Sequence, residues 1–362
     1  MDQFEQSKQA AKIRVVGVGG AGCNAVNTMI ASGLERVDFI ALNTDVQALA
    51  ANKAPTRLQI GKELTRGLGA GANPELGRAA AMEDYDRIKH LLKGSDMVFI
   101  AAGEGGGTGT GAAPIVARIA QEIGALTVGI VSRPFGFEGT RRSSVASVGI
   151  DALADEVDTL IVVPNNKLLT VLDQRTSMVE AFRVADDVLR QGVQGVSDLV
   201  TLPGIINLDF ADVRTIMTQA GPALLGIGMG TGEHRALEAA EQAVASPLLD
   251  TSMEGATSIL LSITGGEDLS LWEVNEAAKA VAAAAHPEAN IIFGAMVDEQ
   301  LEDQVWVTVV ATRYGKSAQR AGRRAQEEPL GEPRIERRGG SNTVQTGTGV
   351  SRLDVPEFVP RR

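Results

Sequence analysis

Residues 99–114 read FIAAGEGGGTGTGAAP, with six glycines in the nine positions from Gly103 to Gly111. Glycine has no Cβ atom, so it adopts positive φ and lets main-chain N–H groups crowd around one object. An apolar run precedes the glycines and an amphipathic pattern follows them. A strand that passes through a glycine turn into a helix N-terminus is typical of a phosphate site, because unpaired N–H groups and partial positive charge gather there. A flexible linker is the alternative, which the two flanking elements disfavour.

The first half of the chain alternates between strand-like and helix-like segments. Strands are predicted at Ile13–Val18, Val37–Leu42, Met97–Ala102, Leu126–Val131 and Leu160–Val163. Helices are predicted at Cys23–Ser32, at Glu75–Leu92 behind Pro74, and at Pro114–Ile123, where the proline suits a first turn. This alternation predicts a doubly wound, Rossmann-like α/β fold with a parallel sheet covered on both faces.

The second half follows a different pattern. One long helix is predicted at Ser177–Val200, although two interior glycines reduce its stability. Beyond it, helices are predicted at Leu208–Ala220, Ala236–Ala245 and Leu271–Ala285, and strands at Ser258–Thr264, Asn290–Val297 and Gln304–Ala311. We therefore expect a smaller α/β domain, joined to the first by the long helix. Trp272 and Trp306 are expected to be packing residues.

The expected organisation has six parts. They are a short extension (1–12), a nucleotide-binding domain (13–176), a central helix (177–202), a C-terminal α/β domain (203–314), a linker (315–350) and a tail peptide (351–362). The linker is rich in charged residues, Gly, Ser, Thr and Gln, which predicts disorder. The tail ends in LDVPEFVPRR (353–362), where apolar residues return between acids and two arginines, as expected of a short binding peptide.

Composition restricts the class of protein. The net charge of −11 argues against a nucleic-acid-coating protein. Residues 313–362 hold 11 basic and 6 acidic residues, so the remaining 312 residues carry −16. The single cysteine, Cys23, excludes an internal disulfide and is expected to be a small buried side chain. No signal-like start or membrane-length apolar run is present, so we expect a cytoplasmic protein without direct membrane insertion.

A dinucleotide site is a second interpretation of the glycine turns. GVGGAG at 17–22 matches G-x-G-x-x-G, and Asp38 or Asp45 stands where the ribose-binding acid belongs. A nicotinamide-dependent dehydrogenase is therefore an alternative, whereas a Walker-type loop is absent from the sequence. Three glycine turns, including GLGAG at 67–71, favour a triphosphate. The scattered histidines suggest neither a metal site nor a catalytic pair; they are His90, His234 and His286.

Two pairs of residues have both structural and functional interpretations. Phe182 and Asp186 are four apart and share a helix face, where they suit purine stacking and guanine recognition, or a core position and a solvated acid. Asp209 and Asp212 are three apart at a helix start, where they suit a water-orienting pair, or an N-cap with an acid in the first turn. Spacing leaves both questions open.

The motifs together resemble the tubulin/FtsZ family of GTPases, in its bacterial cell-division branch. The resemblance runs from about Ile13 to Thr312. It rests on GGGTGTG at 105–111 and on VVGVGGAGCNAVN, ALNTD, GLGAGANP, RPFGFEGTRR, VPNNKLL, AFRVADDVL, NLDFADV, MEGA and NIIFGA. A GTPase domain, a central helix, a C-terminal domain, a linker and a partner-binding tail are implied.

The resemblance also implies roles for individual residues. The resemblance implies that one set of residues forms the nucleotide loops that surround the phosphates: Gly20, Ala21, Asn24, Asn43, Asp45, Ala70, Gly71, Ala72, Gly103, Gly106, Gly107, Thr108 and Gly109. The ribose and its surroundings are assigned to Glu138 and Arg142, and guanine to Asn165, Phe182 and Asp186. GTP or GDP is the implied ligand, with Mg²⁺ carried by the nucleotide and no metal site in the protein.

A catalytic loop is implied at Asn207, Asp209 and Asp212, which enters the nucleotide site of the next subunit. The resulting contact is head-to-tail and generates filaments. Implied partners are further copies of the chain and, through residues 353–362, membrane-tethering and regulatory division proteins at mid-cell. A relative that binds GTP without polymerising is a third alternative. Glu104 departs from the family pattern, since methionine is also common there, and its effect on the phosphates is open.

Overall fold

The computed structural model describes residues 11–202, 204–249 and 253–314. The predicted linker, the tail peptide and nearly all of the N-terminal extension lie outside the described residues. No helix in the described ranges is both long and apolar enough to cross a membrane.

Eleven strands form the framework of the described chain. They are β1 (Ile13–Val18), β2 (Asp38–Asn43), β3 (Thr56–Gln59), β4 (Met97–Gly103), β5 (Leu126–Arg133), β6 (Thr159–Pro164), β7 (Gly204–Ile206), β8 (Gly221–Thr231), β9 (Ala256–Gly265), β10 (Asn290–Val297) and β11 (Gln304–Tyr314). Their order is β3-β2-β1-β4-β5-β6-β8-β11-β9-β10-β7. The pairs from β3 to β8 are parallel, and β11 is antiparallel to both of its neighbours.

The described ranges contain twelve α-helices. They are α1 (Gly19–Ala31), α2 (Val46–Ala50), α3 (Lys62–Thr65), α4 (Pro74–Glu83), α5 (Tyr85–Leu92), α6 (Thr108–Glu122), α7 (Thr140–Ala154), α8 (Asn165–Leu168), α9 (Met178–Thr201), α10 (Phe210–Met217), α11 (Arg235–Val244) and α12 (Leu271–Ala284). Single 3₁₀ turns occur at Gly136–Glu138, Met253–Gly255 and Glu299–Leu301.

The doubly wound prediction is confirmed. Adjacent residues of a strand belong to different hydrophobic cores. In β1, Val15 joins one buried cluster and Val16 the other, and in β4 Phe99 and Ile100 divide in the same way. A parallel sheet buried on both faces requires this division. The first-half sheet continues into the second half through three residue pairs between β6 and β8, beginning at Thr159 and Gly221. The central helix α9 is therefore not the only connection between the two halves.

Two predicted helices were wrong in detail. The segment predicted as one helix behind Pro74 is two, because the chain turns at Asp84, whose buried carboxylate accepts a hydrogen bond from the Gly61 N–H at 2.8 Å. The helix after the glycine loop begins at Thr108 rather than at Pro114, so the proline lies inside α6 and not in its first turn.

Sequence analysis missed two long elements, α7 and the eleven-residue strand β8, and five short ones, α2, α3, α8, β3 and β7. In β8, Gly226, Gly228 and Gly230 weaken strand propensity. Their role is steric: a Cβ atom on any of them would overlap main-chain carbonyls of α11. Trp272 was expected to pack, but it is 69% exposed at the start of α12. Cys23 is buried as expected, and burial raises the pKa of its thiol to about 12.

Candidate nucleotide site

The candidate nucleotide site lies at the carboxyl ends of β1 and β4. Strand order reverses between these neighbours, since β1 continues through β2 to one edge and β4 through β5 toward the other. In open α/β sheets the crevice at such a reversal is where ligands bind. The loop after β1 leads into α1 and the loop after β4 leads into α6, so both glycine turns meet at this crevice.

Glycine occurs at the positions of the two turns for different physical reasons. Gly19 has φ +72°, and a Cβ there would lie 2.7 Å from the amide nitrogen of Gly109, so the turns touch backbone to backbone. An added Cβ on Gly107 would overlap the carbonyl oxygen of Gly71. Gly20 and Gly106, by contrast, have no atom within 4 Å of an added Cβ. Close packing therefore explains some of the glycines, and an open space borders the others.

Both helices that start at the crevice lack a side-chain cap. The N-cap residues are Val18 for α1 and Gly107 for α6, and neither provides a capping hydrogen bond. Asn73, Ser177 and Ser270 cap their helices by accepting backbone N–H groups, whereas the helices α5, α7, α8, α10 and α11 are uncapped as well, so it is the meeting of two uncapped ends at one crevice that distinguishes this place. Uncapped first-turn N–H groups with the positive end of the helix dipole form an anion site. Two such helix ends at one edge suit a di- or triphosphate.

Neighbouring loops complete the predicted phosphate surroundings. Asn43 and Asp45 lie at the end of β2, where the Asn43 Oδ1 accepts the Asp45 N–H at 3.2 Å and Asp45 caps α2. Their polar atoms therefore hold their own loop in shape. The 70–72 loop lies against Gly107, while Gly71 and Ala72 are exposed. Asn24 is exposed on α1, and Gly103 packs on Ala21 with no room for a Cβ.

A second group of predicted residues has polar atoms without protein partners. The Asn165 side chain is buried, and its Oδ1 accepts no hydrogen bond within the described ranges. Asp186 has no hydrogen bond among the described residues either, and burial raises the pKa of its carboxyl to about 7. Buried polar groups are normally satisfied, so exceptions mark functional positions. An acceptor oxygen and a desolvated carboxylate fit the N–H donors of a guanine base.

An aromatic cluster lies beside these polar groups. Phe182 on α9 is 38% exposed, and its ring meets the buried Phe135 edge-on at a centroid distance of 5.4 Å. Phe137 stacks on Phe135 at 5.1 Å and meets Phe182 edge-on at 6.4 Å. The two partly exposed rings present an apolar surface on which a flat base can stack. Sequence analysis missed Phe137, although PFGF in so aromatic-poor a chain was a usable signal.

The predicted ribose contacts form one ion pair. Glu138 and Arg142 are bonded to each other, and the second Glu138 oxygen accepts the Phe135 N–H at 2.9 Å. This pair therefore braces the turn that carries the aromatic cluster. Thr44 was also missed: its hydroxyl bonds the Thr108 hydroxyl at 2.7 Å, which ties the end of β2 to the start of α6.

The predicted catalytic loop lies at the opposite edge of the sheet. Helix α9 has 24 residues, so it spans about 36 Å. Near its start Phe182 meets Phe135 just beyond the carboxyl end of β5, and at its end the Thr201 carbonyl accepts Arg36 Nη1 at 2.5 Å, just before β2 begins. The chain then enters α10, whose Met217 carbonyl accepts the hydroxyl of Thr159, the first residue of β6.

The side chains of this loop are exposed. Asn207 closes the loop by bonding both main-chain groups of Gly204, at 2.6 and 3.0 Å. Asp209 occupies the N-cap position of α10, yet its carboxylate makes no capping hydrogen bond, and Asp212 is exposed in the first turn. The capping explanation of the acid pair therefore lacks the hydrogen bond that would support it. The structure does not bring these acids to the glycine loops of the same chain.

No group of three or more His, Cys, Asp or Glu side chains in the described ranges could hold a metal ion. The crevice offers backbone N–H groups and the Thr108 hydroxyl rather than carboxylates. Any magnesium ion there would thus be held chiefly by nucleotide phosphates.

Fold and site together define the class: a nucleotide-binding protein with a phosphate crevice at the switch point of a doubly wound sheet. The profile of the Tubulin/FtsZ family GTPase domain matches residues 12–173, and that of the FtsZ family C-terminal domain matches residues 221–315. The chain belongs to the FtsZ family and is a GTPase of the tubulin-like cytoskeletal class.

Solved structures agree with this assignment. The empty FtsZ dimer from M. jannaschii is 47% identical, with a TM-score of 0.82 over 85% of this chain and 89% of that chain. A single-substitution mutant of FtsZ from the same organism is also 47% identical, with a TM-score of 0.81 over 84% and 92%. CetZ2 from Haloferax volcanii, a GTPγS-bound protofilament, shares the fold at 22% identity, with a TM-score of 0.72 over 87% and 98%.

Proposed function

We propose that this chain polymerises head to tail and hydrolyses GTP at the junction between subunits, as the filament of a bacterial division ring. One observation carries the proposal: the phosphate crevice and the Asp209–Asp212 loop lie at opposite edges of one sheet. Strands β5 and β6 have eight and six residues, so the edges are separated by about 20–26 Å. An acid at one edge reaches a phosphate at the other only by belonging to a second copy.

In this proposal the crevice binds and orients the nucleotide. First-turn N–H groups of α1 and α6 receive the phosphate oxygens, and the 70–72 loop closes over the terminal phosphate. Asn165 and Asp186 accept the guanine donors, Phe182 stacks on the base, and Glu138 with Arg142 borders the ribose. A Mg²⁺ ion carried by the phosphates would supply further neutralisation of charge.

Hydrolysis is assigned to the loop of the neighbouring subunit. Asp209 and Asp212 are exposed and uncommitted, so they are available to orient a water molecule for in-line attack on the terminal phosphate. Asn207 holds that loop in shape. The glycine loop stabilises negative charge on the transferred phosphoryl group through its N–H groups. Nucleotide binding would thus strengthen a contact whose formation completes the site that hydrolyses the nucleotide.

The remaining parts of the proposal concern assembly and location. A head-to-tail contact joins different surfaces of the two subunits, so it extends into a filament when it does not close. The FtsZ dimer of the M. jannaschii relative is consistent with self-association. We assign residues 13–176 to GTP binding, 177–202 to the central helix and 203–314 to the catalytic-loop domain. Residues 353–362 are assigned to membrane-tethering and regulatory division proteins at mid-cell.

The experiment is GTP turnover per molecule as a function of protein concentration, with Mg²⁺ present and sedimentation measured in parallel. Turnover near zero below a threshold concentration, followed by a steep rise with sedimentable polymer, supports a site shared between subunits. Turnover that is independent of concentration contradicts it and favours the alternative, a GTPase that does not polymerise.

A further inference from the structure

Glu104 is the acidic residue at the start of the phosphate loop. It directly follows β4, and its main-chain N–H donates to the Ser132 carbonyl at 3.0 Å, which prolongs the pairing of β4 with β5. The side chain is 4% exposed. Within the described part of the chain, no hydrogen bond of acceptable geometry reaches either carboxylate oxygen. An unpartnered carboxylate is costly to bury in its charged form.

The carboxyl group lies behind the loop rather than in the crevice. A Cβ atom added to Gly149 of α7 would overlap both the Glu104 Oε2 and the Thr110 side chain. The Thr110 hydroxyl is close: its oxygen accepts the Gly105 N–H at 2.9 Å, and its proton is directed at the carboxyl, where it lowers the pKa of Glu104 against the larger effect of burial. The acid is therefore wedged between α6 and α7, against the hydroxyl that anchors the glycine turn. Gly106 faces open space on the other side.

Few groups compensate a charge at this position. Thr110 from α6 is neutral, and Gly149 from α7 has no side chain. From β5, the Arg133 guanidinium acts on the carboxyl electrostatically, and one of its nitrogens also donates to the Ser147 hydroxyl of α7 at 3.2 Å. Burial raises the pKa of Glu104 to about 7, while Thr110 and Arg133 act in the opposite direction. Near neutral pH the unliganded protein thus holds a mixture of acid and carboxylate.

We propose that Glu104 is a positioning residue of the phosphate loop, and that the loop binds nucleotide phosphates with this carboxyl protonated, so that binding takes up a proton. The inference rests on the proposed function, because it requires phosphates on the open side of the loop. Their negative charges disfavour a second negative charge across one layer of backbone. The proton comes from solvent and bonds to a carboxylate oxygen; the neutral acid then packs against Thr110 and leaves the Gly105–Thr110 hydrogen bond in place.

The probe is GDP, which avoids turnover. Binding to the full chain is measured by calorimetry at pH 7.5 in two buffers of different ionisation enthalpy, which gives the number of protons taken up. Dissociation constants are measured from pH 6 to 8.5. The variants are Glu104→Gln, Glu104→Met and, as a matched control, Asp198→Asn. Asp198 is a buried acid of α9 whose pKa burial also raises to about 7, but it lies outside the proposed nucleotide contacts.

We expect the wild type and Asp198→Asn to take up more protons than either Glu104 variant. Relative to Glu104→Gln, wild-type affinity should fall about tenfold across this pH range, as expected for a binding-linked change of about one pKa unit. Asp186 titrates in the same range with the opposite sign, but every variant retains it, so the difference isolates Glu104.

Equal proton uptake in the wild type and Glu104→Gln, with normal GDP binding, overturns the inference and leaves the proposed function standing. Absence of GDP binding in every protein at every pH refutes the proposed function itself. If Glu104→Gln is unfolded by circular dichroism, Glu104→Met replaces it. Infrared difference spectra provide a second readout: GDP should increase the protonated-carboxyl band more in the wild type than in Glu104→Met, because Asp186 contributes equally to both, and equal changes contradict the proposal.

Discussion

Gly111 of α6 lies directly against the main-chain carbonyl of Pro74, so that a Cβ atom on the glycine would overlap the oxygen. The same pair of helices makes a second contact of this kind where Gly77 meets the carbonyl of Gly107. Gly106, which directly precedes Gly107 in the loop, has no atom within 4 Å of an added Cβ. One glycine-rich motif therefore contains packing glycines and a glycine that borders open space.

This difference predicts that two alanine substitutions affect different properties, one the stability of the fold and the other the binding of nucleotide. Gly111→Ala should destabilise the fold by about 1–3 kcal/mol, because backbone of α4 must move away. Gly106→Ala should leave the melting temperature of the unliganded protein nearly unchanged and weaken GDP binding, because its methyl group enters the phosphate space. Thermal melting and GDP titration of both variants are the measurements. Equal loss of stability in the two would contradict the division.

Asp186 should determine the choice of base. Asp186→Ala removes the acceptor of two guanine donors, and hydrogen bonds to charged groups contribute about 1.5–3 kcal/mol each, so GTP affinity should fall at least tenfold while weak ATP binding changes little. Asp187→Asn is the matched control, since that neighbouring carboxylate bonds Arg190 and Gln191 instead. Competition of GTP and ATP for a fluorescent nucleotide measures both. A preference for GTP that survives in Asp186→Ala would exclude this residue as the guanine reader.

The raised pKa of Asp186 also predicts a pH-dependent stability. Burial raises the pKa of this carboxyl to about 7 in the unliganded fold, from about 4 in an unfolded chain. The folded state therefore binds the proton more tightly, so the contribution of Asp186 to stability is full below pH 4 and is lost as pH rises through 7.

Asp186→Asn removes that ionisation. Its stabilising effect on the nucleotide-free protein should be larger at pH 8 than at pH 5.5, by about 1 kcal/mol after allowance for partial exposure. Urea unfolding at both pH values checks the difference. A stability change that is independent of pH would show that the carboxyl titrates normally in the fold.

Asp209→Ala and Asp212→Ala should bind GTP normally and hydrolyse it about a hundredfold more slowly, the usual magnitude for loss of a positioned acid or base. Mixed in equal amounts with wild type, they should lower turnover per wild-type molecule, because each variant subunit leaves a neighbouring site incomplete. Phosphate release from mixtures at fixed total concentration is the measurement. Strictly additive activities would mean that each chain completes its own site.

Much of the fold followed from local pattern. Alternating apolar strands, helical periodicity and glycine turns determined the doubly wound half, because these signals depend on neighbouring residues. The misplaced elements depend on distant ones. Asp84 ends a helix because it receives the Gly61 N–H, and Gly226, Gly228 and Gly230 form a strand because α11 packs on them. Contacts between residues far apart in sequence are invisible to local propensity.

By itself, the sequence determined the family, the existence of the phosphate loops and the identity of the candidate side chains, because those motifs are contiguous. Only the tertiary structure decided that the Asn165 Oδ1 and the Asp186 carboxylate have no hydrogen-bond partner among the described residues, that Phe137 joins Phe182, and that Glu104 faces away from the crevice. It also put the Asp209–Asp212 loop at the opposite edge from the glycine turns, since the direction of α9 and the anchoring of α10 on β6 are properties of packing. Burial, orientation and separation belong to the folded chain, because they arise when segments distant in sequence exclude water from one another.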